Sequence, residues 1–174
     1  MVRIFFTLSF IFSQDIAFAQ SKAEKLKVFW PEEYNWKIVA AKYERKITFE
    51  YLIPKKEKVK GWSILGIYVC VPNKPNYNVD TTIKEFLIDM KKNYGDSRVK
   101  ILEQDSVKHS WALIQVEEMF DRATIRQISA IYYIRVGKYN YFEASIRIRG
   151  RDLPAGFSDK WAAIFKKSEM YYDF

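Results

Sequence analysis

The chain has a single histidine, His109, and a single cysteine, Cys70. Any Ser-His-Asp or Cys-His arrangement must therefore run through His109. It sits in Lys108-His109-Ser110-Trp111, at the start of a strand and next to a turn, and no Gly-x-Ser-x-Gly elbow accompanies it. One histidine and one cysteine cannot build a zinc site of the usual kind. Glu117 and Glu118 are adjacent, and neighbours on a strand point to opposite faces, so they do not read as a chelating pair. The six glycines include no two in a phosphate-loop frame. Carboxylates for glycoside hydrolysis can lie far apart in sequence, but nothing singles out a pair here. No catalytic, cofactor-binding or metal-binding residue is expected, and no cofactor.

Cys70 lies within Ile67-Tyr68-Val69-Cys70-Val71, which reads as a small buried hydrophobe rather than a reactive thiol. The N-terminus starts Met1-Val2-Arg3, runs apolar from Ile4 to Phe12, and closes on Ala17-Phe18-Ala19 before Gln20. A basic start, a short apolar run and small residues at the cut describe a secretory signal over 1–19. The run falls short of the ~20 residues that span a bilayer. An exported chain with one thiol has no internal disulfide, which favours a bacterial periplasm or secretion. Residues 20–174 read as one α+β domain, since a chain this long buries roughly 70% of its unfolded surface. Aromatic residues make up 17% of the chain, which excludes disorder for most of it. The formal charge is +8, and residues 1–19 carry one charge of each sign, Arg3 and Asp15. Such a chain suits an acidic protein partner, an acidic glycan or an anionic membrane surface; export argues against nucleic acid. No later segment is apolar enough for a membrane span.

Period-two alternation predicts strands over Leu26–Trp30, Trp36–Ala41 and Ile47–Ile53, after a polar, unstructured stretch at 20–25. Lys55–Lys60 is a basic surface loop, the second candidate for binding. Trp62–Val71 is apolar on both faces and so central in a sheet, and Pro72–Asn76 breaks it. Ile83, Phe86, Leu87, Met90 and Tyr94 form one helical stripe, capped by Asp80 or a following threonine and stopped at Gly95. Strands follow at 98–104, 109–118, 126–136 and 140–149. A last helix has Ser158 as N-cap and Trp161, Ile164 and Phe165 as its inward stripe. Met170–Phe174 is an aromatic tail that can dock on the domain. The fold expected is α+β: a mostly antiparallel meander sheet of about seven to eight strands packed with two amphipathic helices.

A three-residue loop at Gly137-Lys138-Tyr139 sets Ile134 against Phe142, Tyr132 against Ala144, Ala130 against Ile146 and Ile128 against Ile148. A two-residue turn sets apolar residues against charged ones, so the odd-length loop is expected. The opposite face then gathers Tyr133, Arg135, Tyr141, Glu143, Arg147 and Arg149, with Ser129, Ile131, Ser145 and Gln127. Tyr and Arg bury area while keeping a polar end, and this face is the candidate partner-binding surface. If a helix covers it, Tyr133 and Tyr141 are core instead.

Phe29-Trp30-Pro31 followed by Trp36-Lys37-Ile38-Val39 resembles the opening of the PsbP-like α/β/α sandwich group, which includes DcrB-type bacterial envelope proteins. The order of strands, middle helix, meander and C-terminal helix is similar over the whole mature chain. Glu50–Lys55 with Trp62-Ser63 resembles a run in exported bacterial proteins. Glu32, Glu33 and Asn35 stand where the group has glycines. The group also holds photosystem accessory proteins, a small-GTPase-binding protein, and chaperone or immunity proteins of type VI secretion. The resemblance implies binding rather than chemistry. The expectation is a non-enzymatic, exported, protein-binding module of the periplasm, an accessory or immunity-like factor whose partner presents an acidic surface. The competing readings are a carrier of a small apolar ligand and an envelope-polymer hydrolase.

Overall fold

The computed structural model describes residues 23–44, 47–72, 78–121 and 125–173. The secretory signal expected over 1–19, residues 20–22, most of the Pro72–Asn76 break and Phe174 lie outside them. The strands are β1 (Ala23–Lys27), β2 (Trp36–Glu44), β3 (Ile47–Pro54), β4 (Ile64–Pro72), β5 (Arg98–Gln104), β6 (Trp111–Asp121), β7 (Arg126–Val136), β8 (Asn140–Arg149) and β9 (Glu169–Asp173). The helices are α1 (Val79–Tyr94) and α2 (Phe157–Lys166). Seven strands form one antiparallel sheet in the order β2-β3-β4-β8-β7-β6-β5, and β1 pairs with β9 in a separate two-stranded ribbon. The architecture is α+β, two meanders joined where β4 pairs with β8 from Ile64↔Ile148 to Pro72↔Asn140.

α1 forms because Val79, Ile83, Phe86 and Met90 recur at helical spacing and bury one face. Leu87, expected in that stripe, is 37% exposed; Val79 and Thr82 are buried instead. Asn78, rather than Asp80 or a threonine, caps the helix, its Oδ1 accepting from the Thr81 N–H at 3.0 Å. Gly95 ends it at φ 63°, where a glycine needs no strain. α2 is capped by Gly156, not Ser158; the Ser158 hydroxyl donates to Gln115 Oε1 at 2.9 Å. Its Trp161 and Phe165 are fully buried, while Ile164 is half-buried.

Both faces of the sheet are packed. α1 covers Ala112, Ile114, Val116, Ile128, Ala130, Tyr132 and Ile134 on one face. α2, Leu26 and the Trp30, Tyr34 and Trp36 rings pack with Leu113, Ile131, Tyr133, Phe142, Ala144 and Ile146 on the other. β7 is accordingly buried without interruption from Ile128 to Ile134.

That double burial overturns the expected hairpin register. β7 and β8 pair as Val136↔Tyr141, Arg135↔Phe142, Ile134↔Glu143, Tyr133↔Ala144, Tyr132↔Ser145 and Ile131↔Ile146. The innermost pair, Val136↔Tyr141, encloses Gly137–Asn140, with Asn140 already in β8 and the Gly137 N–H donating to its carbonyl at 2.8 Å. A one-residue slip exchanges the faces of a strand, and alternation fixes register only where one face is wet.

What sets the loop is Glu24. Its buried carboxylate accepts from the backbone N–H groups of Lys138, Tyr139 and Asn140, each at 2.9 Å, and from the Tyr172 hydroxyl at 3.1 Å. The Asn140 side-chain amide donates to the Glu24 carbonyl at 3.1 Å. A Cβ on Gly137 would lie 2.3 Å from a Glu24 carboxylate oxygen, so any side chain there must displace that carboxylate. Residues 23–25, expected within a polar unstructured stretch, therefore open β1. The aromatic tail docks as β9 against it, with Lys25↔Tyr171 at the centre of the register.

Candidate functional site

Side chains alternate along a strand, so the observed register divides the six residues expected on one surface. Tyr133 and Arg135 point to the α2 face. Tyr133 is 2% exposed and stacks on Phe165 with centroids 5.9 Å apart and planes at 10°. Burial raises its hydroxyl pKa, opposed by the nearby Arg135 charge. These two belong to the core and its margin; the expected six-residue surface is corrected to four. Tyr141, Glu143, Arg147 and Arg149 share the α1 face with Ser145, Tyr132 and the odd-numbered residues of β4 and β3, including Leu65, Ile67, Val69, Phe49 and Tyr51.

α1 packs chiefly over β6 and β7. The β8–β4–β3 half of the face lies beside it and carries a polar row on an apolar floor. Tyr141 donates to Glu143 Oε2 at 3.0 Å. Burial pushes the Glu143 carboxyl up, opposed by the Arg147 charge and the Tyr141 hydroxyl. Glu143 and Arg147 are four residues apart on one strand, about 13 Å, and form no ion pair. The Arg147 guanidinium carbon lies 5.5 Å from the Tyr132 ring centroid, a cation–π distance. Tyr132, Tyr94, Glu143 and Tyr51 all act on its charge. Its Nε is buried with no hydrogen-bond partner among the described residues, and so is the hydroxyl of fully buried Ser145, two residues away. Such orphans are uncommon in native proteins. Arg149 is satisfied differently: its guanidinium covers Trp62 at 4.9 Å and donates to the Lys60 carbonyl at 3.0 Å.

Sequence reasoning missed Tyr132, Tyr94 and Tyr51 as neighbours of Arg147. The apolar pattern around Tyr132 marked it as core, and the other two come from distant elements.

The remaining chemistry-bearing residues have structural partners. His109 lies before β6 at φ 49°, its Nδ1 2.8 Å from Asp80 Oδ2, and its carbonyl accepts from the Val79 N–H at 3.0 Å. It thus fastens the first turn of α1. Burial pushes the Cys70 thiol up to about 11. Glu117 and Glu118 do not diverge as expected on a regular strand. A β-bulge between Val116 and Met119 puts Glu118 at φ 62°, and both carboxylates meet Arg98, at 3.3 and 2.9 Å. Glu118 also meets Arg151 at 3.1 Å. Among the described residues no cluster of His, Cys, Asp and Glu could hold a metal ion, and no helix is long and apolar enough to cross a membrane. The chain matches no protein-family model, no curated protein and no solved structure.

Proposed function

We propose that the chain is an exported, non-enzymatic binding module that takes an acidic protein partner on the β8–β4–β3 half of the α1 face. The observation that carries this reading is the Arg147 guanidinium, held over Tyr132 with its Nε buried and unpartnered among the described residues. An arginine fork suits a carboxylate. A partner's Asp or Glu would supply an acceptor to the guanidinium, with Tyr51, 36% exposed, at the margin. The PsbP-like resemblance of Phe29-Trp30-Pro31 and the signal pattern over 1–19 support the binding and export parts of the reading.

The test is a pull-down of the tagged protein from envelope extract of its own cells at about 0.15 M salt, where charges beyond ~8 Å are screened. Arg147→Gln and Tyr51→Ala should each lose a stoichiometric partner that Arg135→Gln, on the opposite face, retains. Thermal melts confirm that the variants are folded. Retention of the partner by folded Arg147→Gln would refute the site. Recovery of an extractable apolar compound with no protein would favour the carrier reading. Sequencing the exported protein should give Gln20 as its first residue.

A further inference from the structure

Because the sheet is antiparallel throughout, the β3–β4 connection, the end of β6, the start of β7 and the end of β8 lie at one end of it. The β3–β4 connection presents Lys55, Lys56, Lys58 and Lys60, all exposed. None of these ammonium groups meets a carboxylate among the described residues. The one acid in the loop, Glu57, is taken by Ser63, whose N–H donates to it at 2.7 Å and whose hydroxyl also bonds it. Two more cations are tied to the same tip. Lys37 donates to the carbonyls of Lys55 and Glu57, at 2.9 and 2.8 Å, and Arg149 donates to that of Lys60.

Solubility explains exposed lysines but not the apolar residues set among and beside them. Val59, at the apex, is 61% exposed; at the same end of the sheet Ile125 is 77% and Phe120 46% exposed. Cations around a protruding apolar tip are the pattern of a surface that meets anionic headgroups with its charges and the acyl boundary with its apolar tips. We propose that this end of the sheet docks on the surface of an anionic lipid bilayer, lysines at the phosphate level and Val59 and Ile125 dipping beneath it. The contact is peripheral, and it leaves the Arg147 face free for a partner.

The test is co-sedimentation of the full chain with vesicles of phosphatidylethanolamine and phosphatidylglycerol, and with vesicles of phosphatidylcholine alone. Each lysine near an anionic surface is worth about fivefold in partitioning, so Lys56→Gln with Lys58→Gln should lower binding to the anionic vesicles about thirtyfold. Binding should also fall as salt rises from about 0.05 to 0.5 M, as the Debye length shrinks. The apolar run Ile4–Phe12 is common to both proteins, so their difference reports the tip alone. Val59→Asp, at an exposed position, should weaken binding further. Equal binding by the wild type and the double variant, or none by the wild type, would overturn the proposal. Loss with the lysines but not with Val59→Asp would also overturn it, by showing that the lysines meet the headgroups with no apolar residue dipping beneath them.

Discussion

Replacing Glu24 should destabilise the fold through the Gly137–Asn140 loop that it holds. The carboxylate is 3% exposed and accepts three backbone N–H groups at 2.9 Å and one phenol. Glu24→Ala leaves three donors of the Gly137–Asn140 loop without an acceptor. Each buried unsatisfied donor costs about 1–3 kcal/mol, but water can reach the loop once β1 frays, so the low end applies. The expected loss is about 3–5 kcal/mol, a large part of the ~5–15 kcal/mol typical of a domain. For a chain of this size that lowers Tm by roughly 6–20 °C. Glu24→Gln should lose about 2–3 kcal/mol, because the amide oxygen keeps some donors while its NH₂ faces the others. Urea unfolding followed by tryptophan fluorescence gives the free energies. Hydrogen exchange at the Lys138, Tyr139 and Asn140 amides shows whether the loss is local. A cost for Glu24→Ala below about 1 kcal/mol, with those amides still protected, would refute the assignment of the loop to this carboxylate.

Burial raises the Glu143 carboxyl above its unfolded value. Stability tied to its proton is then present below the unfolded pKa and lost as pH rises through the folded one. Glu143→Gln should therefore gain on the wild type between about pH 4 and 7, and parallel Tm-against-pH curves would contradict this. With its thiol near 11, about one Cys70 in a thousand is ionised at pH 8, against roughly a quarter for an ordinary cysteine. Its reaction with an aromatic disulfide reagent should be at least about a hundredfold slower than that of a free thiol, and should become fast in denaturant; rapid reaction in the folded protein would count against the raised pKa of this half-buried thiol. Tyr133→Ala removes a ring stacked between strand and helix and should cost about 3–5 kcal/mol. A fully stable variant would put Tyr133 outside the core.

Local pattern carried much of the secondary structure. The stripe Ile83-Phe86-Met90 and the strand runs from 98 to 149 are written in residues that act on near neighbours. The failures share a cause, which is that the deciding partner lies far along the chain. β7 is buried on both faces, so alternation could not choose between registers, and the choice rests on a glutamate 114 residues from Lys138. Asn78 caps α1 because the helix starts at Val79, which puts Asp80 inside the first turn, where it meets His109. The bulge that turns Glu118 toward Arg98 and Arg151 has no local marker. For the same reason the candidate face was legible only in part: Arg147 was visible as a polar residue in a strand, but the tyrosines around it come from β3, β7 and α1.

The pairing of β1 with β9 has a temporal meaning. Lys25 meets Asp173, 148 positions further along the sequence, and among the described residues β1 pairs with no other strand. At roughly 5–20 residues per second of synthesis, the first strand waits on the order of 10–30 s for the ninth. Until then β1 can bind only the Gly137–Asn140 loop, through Glu24, and the ribbon closes only when the late segment of the chain returns to its early one.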